Sequence, residues 1–189
     1  MQKTLELFFL YPLTEFYLLD ISRKIKVAHT SVKNNLKELV REGLIEESIE
    51  KRGQRKFPAY RAAATKKFRQ QKVIGNLVAL LESGVVNVIE EKLQPRVIVV
   101  FGSFRRGEDV EESDVDLFVE CEEETLDLAL FERKLGRKVQ LHFNRNFLAY
   151  PKELRNNIIN GIVLHGFLEA YDKLSRPRYP KVNGAQEER

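Results

Sequence analysis

Apolar positions along the first sixty residues follow a helical period and then an alternating one. Leu5, Phe8, Phe9 and Leu10 make one face of a first helix, which Pro12 ends. Leu19, Ile21, Ile25 and Val27 frame a second short helix, and Thr30 or Ser31 offers a hydroxyl cap to a third. In that third helix Val32, Leu36, Leu39 and Val40 stand at i, i+4, i+7 and i+8. This spacing gives one buried face and turns Lys33, Asn34, Asn35, Lys37 and Arg41 elsewhere. Gly43 closes the helix. Residues 44–49 and 57–62 are strand-like, separated by the basic, glycine-bearing loop EKRGQRK.

The pattern then changes. From 66 to about 93 it is helical, marked by Phe68, Val73, Leu77, Leu80 and Leu81 and broken at Gly84. After Pro95 the run RVIVVF is continuous and β-branched, as in strands buried on both faces. A second strand is predicted at 115–121, a helix at 125–135 that Gly136 stops, a third strand at KVQLHF, an amphipathic helix at 152–160 and a short apolar stretch at 163–167. The chain shows no internal repeat. These elements predict an α+β protein of two domains. Residues 1–65 are read as a winged helix-turn-helix, three helices plus a β-hairpin wing. Residues 66–94 are a helical connector, 95–172 a small mixed sheet flanked by helices, and 173–189, with Pro177, Pro180 and Gly184, a flexible tail.

Charge divides along the same boundary. Residues 1–72 hold 16 Lys and Arg against 8 Asp and Glu, and the remainder holds 16 against 20, so a net charge of +4 conceals halves near +8 and −4. A basic first half suits a polyanionic partner, and double-stranded DNA fits a helix-turn-helix. Thr30, Ser31, Lys33, Asn34 and Lys37 form the expected reading face, with Arg52, Arg55 and Lys56 of the wing on phosphates. Such modules work as dimers on two-fold sites, so a homodimer is expected. No apolar run approaches the ~18 residues of a membrane helix. The N-terminus lacks the basic start and cleavage site of a signal peptide, and the one cysteine, Cys121, suits a reducing compartment. The expectation is a cytoplasmic protein with no membrane partner.

Between Glu108 and Asp127 lie eleven carboxylates and no Lys or Arg. Such a run makes either a solvated loop or a cation site, and both are expected here. Just before it, VVFGSFRRG places Gly102 directly after a buried strand, where the backbone can approach a phosphate. Ser103 adds a hydroxyl, and Arg105 and Arg106 add positive charge. In SDVDLFV, Asp114 and Asp116 are two apart and therefore point to one face of a strand. Adjacent carboxylates repel, and a hard divalent cation, Mg²⁺ or Mn²⁺, resolves the repulsion.

Gly102-Ser103, ten residues, then Asp114-Val115-Asp116 is similar to the GS-x(10)-DxD pattern of the DNA polymerase β-like nucleotidyltransferase superfamily. The stretch GSFRRGEDVEESDVDLFVE resembles its minimal nucleotidyltransferase branch. With the winged helix, nearly the whole chain resembles an archaeal type that joins the two modules. The resemblance implies that Ser103 contacts the NTP triphosphate, together with Gly102, Arg105 and Arg106, and that Asp114 and Asp116 hold the catalytic metal. It also implies a third carboxylate on a later strand. Alignment of GRKV-x-L places Gln140 there, a neutral amide that ligates metal poorly and cannot accept a proton. Two other groups remain: Glu120, farther along the strand of the aspartates, and His142, on the face of Gln140, which can accept a proton near neutral pH.

Three functions stay open at this point. The chain transfers a nucleotidyl group from Mg·NTP to a hydroxyl acceptor, or it is a DNA-binding transcriptional regulator whose second domain senses nucleotide. The third, implied by the resemblance, is an antitoxin that acts on a partner toxin protein.

Overall fold

A computed structural model of the chain describes residues 1–169 other than Gly53 and Asn146. The expected tail, 173–189, lies outside the described residues, as does the side chain of Arg52. Among the described residues there are eight α-helices and two sheets.

The N-terminal body contains α1 (Gln2–Leu10), β1 (Phe16–Tyr17), α2 (Leu18–Ile25), α3 (His29–Arg41), β2 (Ile45–Arg52) and β3 (Arg55–Ala62). Its sheet runs β1-β3-β2 and is antiparallel throughout. Phe8, Ile21, Val32, Leu36 and Leu39 are completely buried in one core, as the helical period predicts. Gly43, at φ +69, ends α3: its N–H donates to Val40 O, and that of Leu44 donates to Leu39 O.

Three local expectations change. Helix α3 begins at His29 with Ala28 at its N-cap and no side-chain cap bond, so neither Thr30 nor Ser31 caps it. Residues 28–31 are exposed, and water can satisfy the first N–H groups. The pair β1 adds a third strand. Finally, β2 and β3 run into the basic loop, as far as Arg52 opposite Arg55.

The C-terminal body follows Thr65, whose hydroxyl accepts the Phe68 N–H at 3.1 Å and caps α4 (Lys66–Ser83). Gly84, at φ +84, introduces a 52° bend into α5 (Val85–Leu93). Leu80, Val85, Val86 and Ile89 enter the core beneath the second sheet, so these helices are part of its packing. No single helix among the described residues is long and apolar enough to cross a membrane.

Next come β4 (Val97–Phe101), α6 (Gly102–Arg106), β5 (Val115–Val119), α7 (Ala129–Leu135), β6 (Val139–Phe143), α8 (Lys152–Ile159) and β7 (Ile162–Gly166). The sheet order is β6-β5-β4-β7. β5 and β6 are parallel, joined through α7, and the other pairings are antiparallel. All five residues of β4 are buried. Ile98, Val100, Val115, Leu117 and Val119 face one apolar cluster, and Val97, Val99, Phe101 and Phe118 face another.

The two bodies meet where Phe9 of α1 packs on Gly75 of α4. A Cβ at Gly75 would lie 2.5 Å from the Phe9 ring. Gly75→Ala improves helix propensity by up to ~1 kcal/mol but must displace a packed aromatic, at a cost of ~1–3 kcal/mol. Net destabilisation of about 1–2 kcal/mol is expected in urea unfolding.

Candidate metal and phosphate site

The site begins where β4 leaves the core. Phe101 pairs in register with Asp116 of β5, and the chain turns at Gly102 with φ +74. A Cβ there would lie 2.3 Å from Asp116 Oδ2. Glycine is thus required both by backbone conformation and by the carboxylate that takes its side-chain space. Ser103, half-buried, follows on α6. Val115 and Leu117 are fully buried toward one core, while Asp116 and the preceding Asp114 remain half-exposed on the other side. Asp114 has no hydrogen-bond or ion-pair partner among the described residues.

Most carboxylates around this pair have structural partners. Glu108 lies 2.8 Å from Arg106 and 3.1 Å from Arg69, and the Arg106 hydrogen bond holds it below the usual carboxylate range. Glu111 accepts from the Thr14 hydroxyl at 3.0 Å. Asp109 is buried against Lys72 and Arg137, both at 3.2 Å. Glu120 is also buried, with Arg96 at 3.9 Å, and burial raises its pKa. It stands four residues along the chain from Asp116, away from the paired aspartates. Within the acidic run, Glu108, Asp109, Glu111 and Glu120 thus serve as scaffolding, while Asp114 and Asp116 stay half-exposed on one face.

Register places Gln140 opposite Asp116 on the parallel strand β6, where its side chain is exposed. His142 comes closer: its Nε2 lies 3.1 Å from Asp116 Oδ1, and its ring packs on Phe101 with centroids 5.1 Å apart. Arg106 is committed to Glu108, whereas Arg105 has a buried Nε without a partner among the described residues.

No group of three or more His, Cys, Asp or Glu among the described residues could hold a metal ion. Two carboxylates nevertheless fit Mg²⁺, which commonly takes one or two protein carboxylates and fills its octahedron with phosphate oxygens and water. The close seating of the Asp116 carboxylate against the side-chain-free Gly102 supports that fit. An open hollow of about 940 Å³, lined in part by Glu111, Asp114, Arg133 and Lys138, reaches Asp114 but not Asp116 or the Gly102-Ser103 turn. A more enclosed cavity of about 520 Å³ lies instead between α1, α4 and α7 and includes neither aspartate.

On the N-terminal body, Thr30, Ser31, Lys33, Asn34 and Lys37 are all exposed on α3, opposite its buried face. Arg55 and Lys56 are exposed on β3. The ladder sets Lys51 opposite Lys56, which puts like charges across from each other.

Gly102→Ala should displace the Asp116 carboxylate. The expected outcome is a loss of about 1–3 kcal/mol of stability. Mn²⁺ affinity, measured from the spectrum of the free ion, should fall at least about tenfold, as for Asp116→Ala. Unchanged Mn²⁺ binding in this variant would remove Asp116 as a ligand.

Known proteins share similarity with parts of this chain. Residues 83–165 match the family model described as "Nucleotidyltransferase domain". The chain is 40% identical over 62 residues to "Putative protein adenylyltransferase MJ1379" of Methanocaldococcus jannaschii, a match that covers 29% of this chain and 62% of that relative. A solved structure described as a possible transcriptional regulator from Methanosarcina mazei Go1 matches with a TM-score of 0.34 at 16% identity, covering 44% of this chain and 72% of the other. The stretch similar to that family model, residues 83–165, contains both the Gly102-Ser103 turn and the aspartate pair.

Proposed function

We propose that this chain binds an NTP with a divalent cation at Gly102, Ser103, Asp114 and Asp116 and transfers the nucleotidyl group, adenylyl first among candidates, to a hydroxyl of a protein acceptor. The observation that carries the proposal is the fit of Gly102 to Asp116, which leaves two carboxylates beside a glycine-serine turn. The relative described as a protein adenylyltransferase favours ATP and a protein acceptor. Asp114 and Asp116 would hold Mg²⁺, which when bound neutralises phosphate charge and polarises the reacting phosphoryl group. Ser103 would donate its hydroxyl to a phosphate oxygen, and Arg105 has an unpartnered Nε to offer the same group.

In the transfer, the acceptor hydroxyl oxygen attacks the α-phosphorus. The bond from that phosphorus to the bridging oxygen breaks, pyrophosphate leaves, and the hydroxyl proton must go to a base. Gln140 cannot take it. His142, fixed by Asp116 and Phe101, is the proton acceptor we assign.

The N-terminal body supports a second partner. Its three helices, hairpin and exposed α3 face support the reading of residues 1–65 as a winged helix-turn-helix. The facing like charges of the hairpin are unfavourable unless a polyanion lies over them, and double-stranded DNA supplies one. A homodimer on a two-fold DNA site follows from this reading. The exposed Gln140, where a third carboxylate would stand, favours an alternative in which the nucleotide is sensed rather than consumed.

Incubation with α-labelled ATP, Mg²⁺ and protein acceptors should give a labelled product that Asp114→Ala and Asp116→Ala abolish. His142→Ala should slow its formation by about 10²-fold or more with nearly unchanged nucleotide affinity. Nucleotide binding without any labelled product, together with DNA affinity that shifts on adding ATP, would establish the sensor instead. For the wing, Arg55→Gln with Lys56→Gln should reduce the slope of log affinity for duplex DNA against log salt by about 2. An unaltered slope would take the hairpin off the DNA.

A further inference from the structure

The loop that delivers Asp114 is fastened by a side chain that also grips the N-terminal body. Arg137, 6% exposed, lies between α7 and β6. Its Nη1 donates to the Glu111 carbonyl at 2.8 Å. Its Nη2 donates to the Leu10 carbonyl at 2.9 Å and lies 3.2 Å from Asp109 Oδ2. Leu10 ends α1, so its carbonyl has no partner within the helix, and the guanidinium supplies one.

Asp109 is held from other sides as well. Lys72 of α4 donates to its backbone carbonyl and pairs with its carboxylate, while Asn76 donates to its Oδ1 at 2.8 Å and to Phe104 O of α6 at 2.8 Å. Burial pushes the pKa of Lys72 down, with Asp109 opposing that shift. Thr14 adds its hydroxyl bond to Glu111. From Glu111 the chain has only the Val110–Ser113 turn to cross before it reaches Asp114.

We infer that Arg137 is a positioning residue for the aspartate pair and that the end of α1 is a structural part of the cation site. The contacts form one connected path. On α3, Asn35 Nδ2 donates to Thr4 Oγ1 of α1 at 3.0 Å, α1 ends at Leu10, and Leu10 is bonded to the arginine that holds the 109–111 backbone. A shift of α1 caused by a ligand on the α3 face therefore moves the loop carrying Asp114. Coupling of this kind is reciprocal, so cation and nucleotide at the aspartates bias the N-terminal body in return. The inference rests on the reading of Asp114 and Asp116 as cation ligands.

The test uses the full chain with Arg137→Lys, which keeps the charge but cannot span Asp109, Glu111 and Leu10 together, and with the milder Thr14→Val. Backbone hydrogen exchange over 108–114 should accelerate about tenfold in Arg137→Lys and less in Thr14→Val, with β4 and β5 unchanged. Mn²⁺ in the presence of ATP should bind about five- to tenfold more weakly to Arg137→Lys. Unchanged exchange over 108–114 in both variants overturns the inference. If Arg137→Lys does not fold, Thr14→Val decides by the same exchange criterion. If the unaltered chain fails to bind Mn²⁺, the cation reading falls, while the exchange result still decides whether Arg137 holds the loop.

Discussion

Asp109 takes a full negative charge out of water, and the two bodies are organised around that constraint. A carboxylate so buried requires cations and hydrogen-bond donors in fixed places, and breaking such a set by removing one member typically costs about 3–5 kcal/mol. Here the donors come from separate parts of the chain: Lys72 and Asn76 from α4, and Arg137 from the approach to β6. Each is itself buried and would be costly alone. Their mutual satisfaction fixes α4, the acidic loop and the edge of the sheet as a unit, and Leu10 adds α1 to it.

The chemistry of the site rests on what this arrangement leaves over. Of the carboxylates in the acidic run, Glu108, Asp109 and Glu111 have basic or hydroxyl partners. Asp114 has none among the described residues, and Asp116 has only an imidazole. On the proposed reading, these two acids, one of them seated against a turn with no side chain, would take a hard metal ion carried in on a triphosphate. Where a third acid would stand, the chain presents an amide in register and a histidine two residues on. On the proposed reading, that arrangement would weaken the hold on the metal and place the burden of proton transfer on a ring that Asp116 already orients.

Much of this was legible in the sequence for identifiable reasons. The buried face of α3 follows from a strict helical period, and the break at Gly84 follows from glycine's freedom at positive φ. The Gly102-Ser103 and Asp114-Asp116 pattern is legible because backbone approach and same-face carboxylates each demand particular residues. Other features carry no local signal. Helix α3 starts without a capping side chain, and β1 is only two residues long. The contact of His142 with Asp116 depends on the parallel register of β5 and β6, which a crossover through α7 sets at long range. Lys72 and Arg137 look like ordinary surface cations until the fold brings Asp109 between them.

Gly102 has a consequence for how such a site can vary. Its conformation disfavours every L side chain, and the nearest carboxylate already occupies the volume that even a methyl group would need. The position is therefore closed to drift and to engineering alike. Changes in preference for ion, nucleotide or acceptor must enter through its neighbours, and of these Gln140, exposed and in register with Asp116, has the greatest freedom to change without disturbing the core.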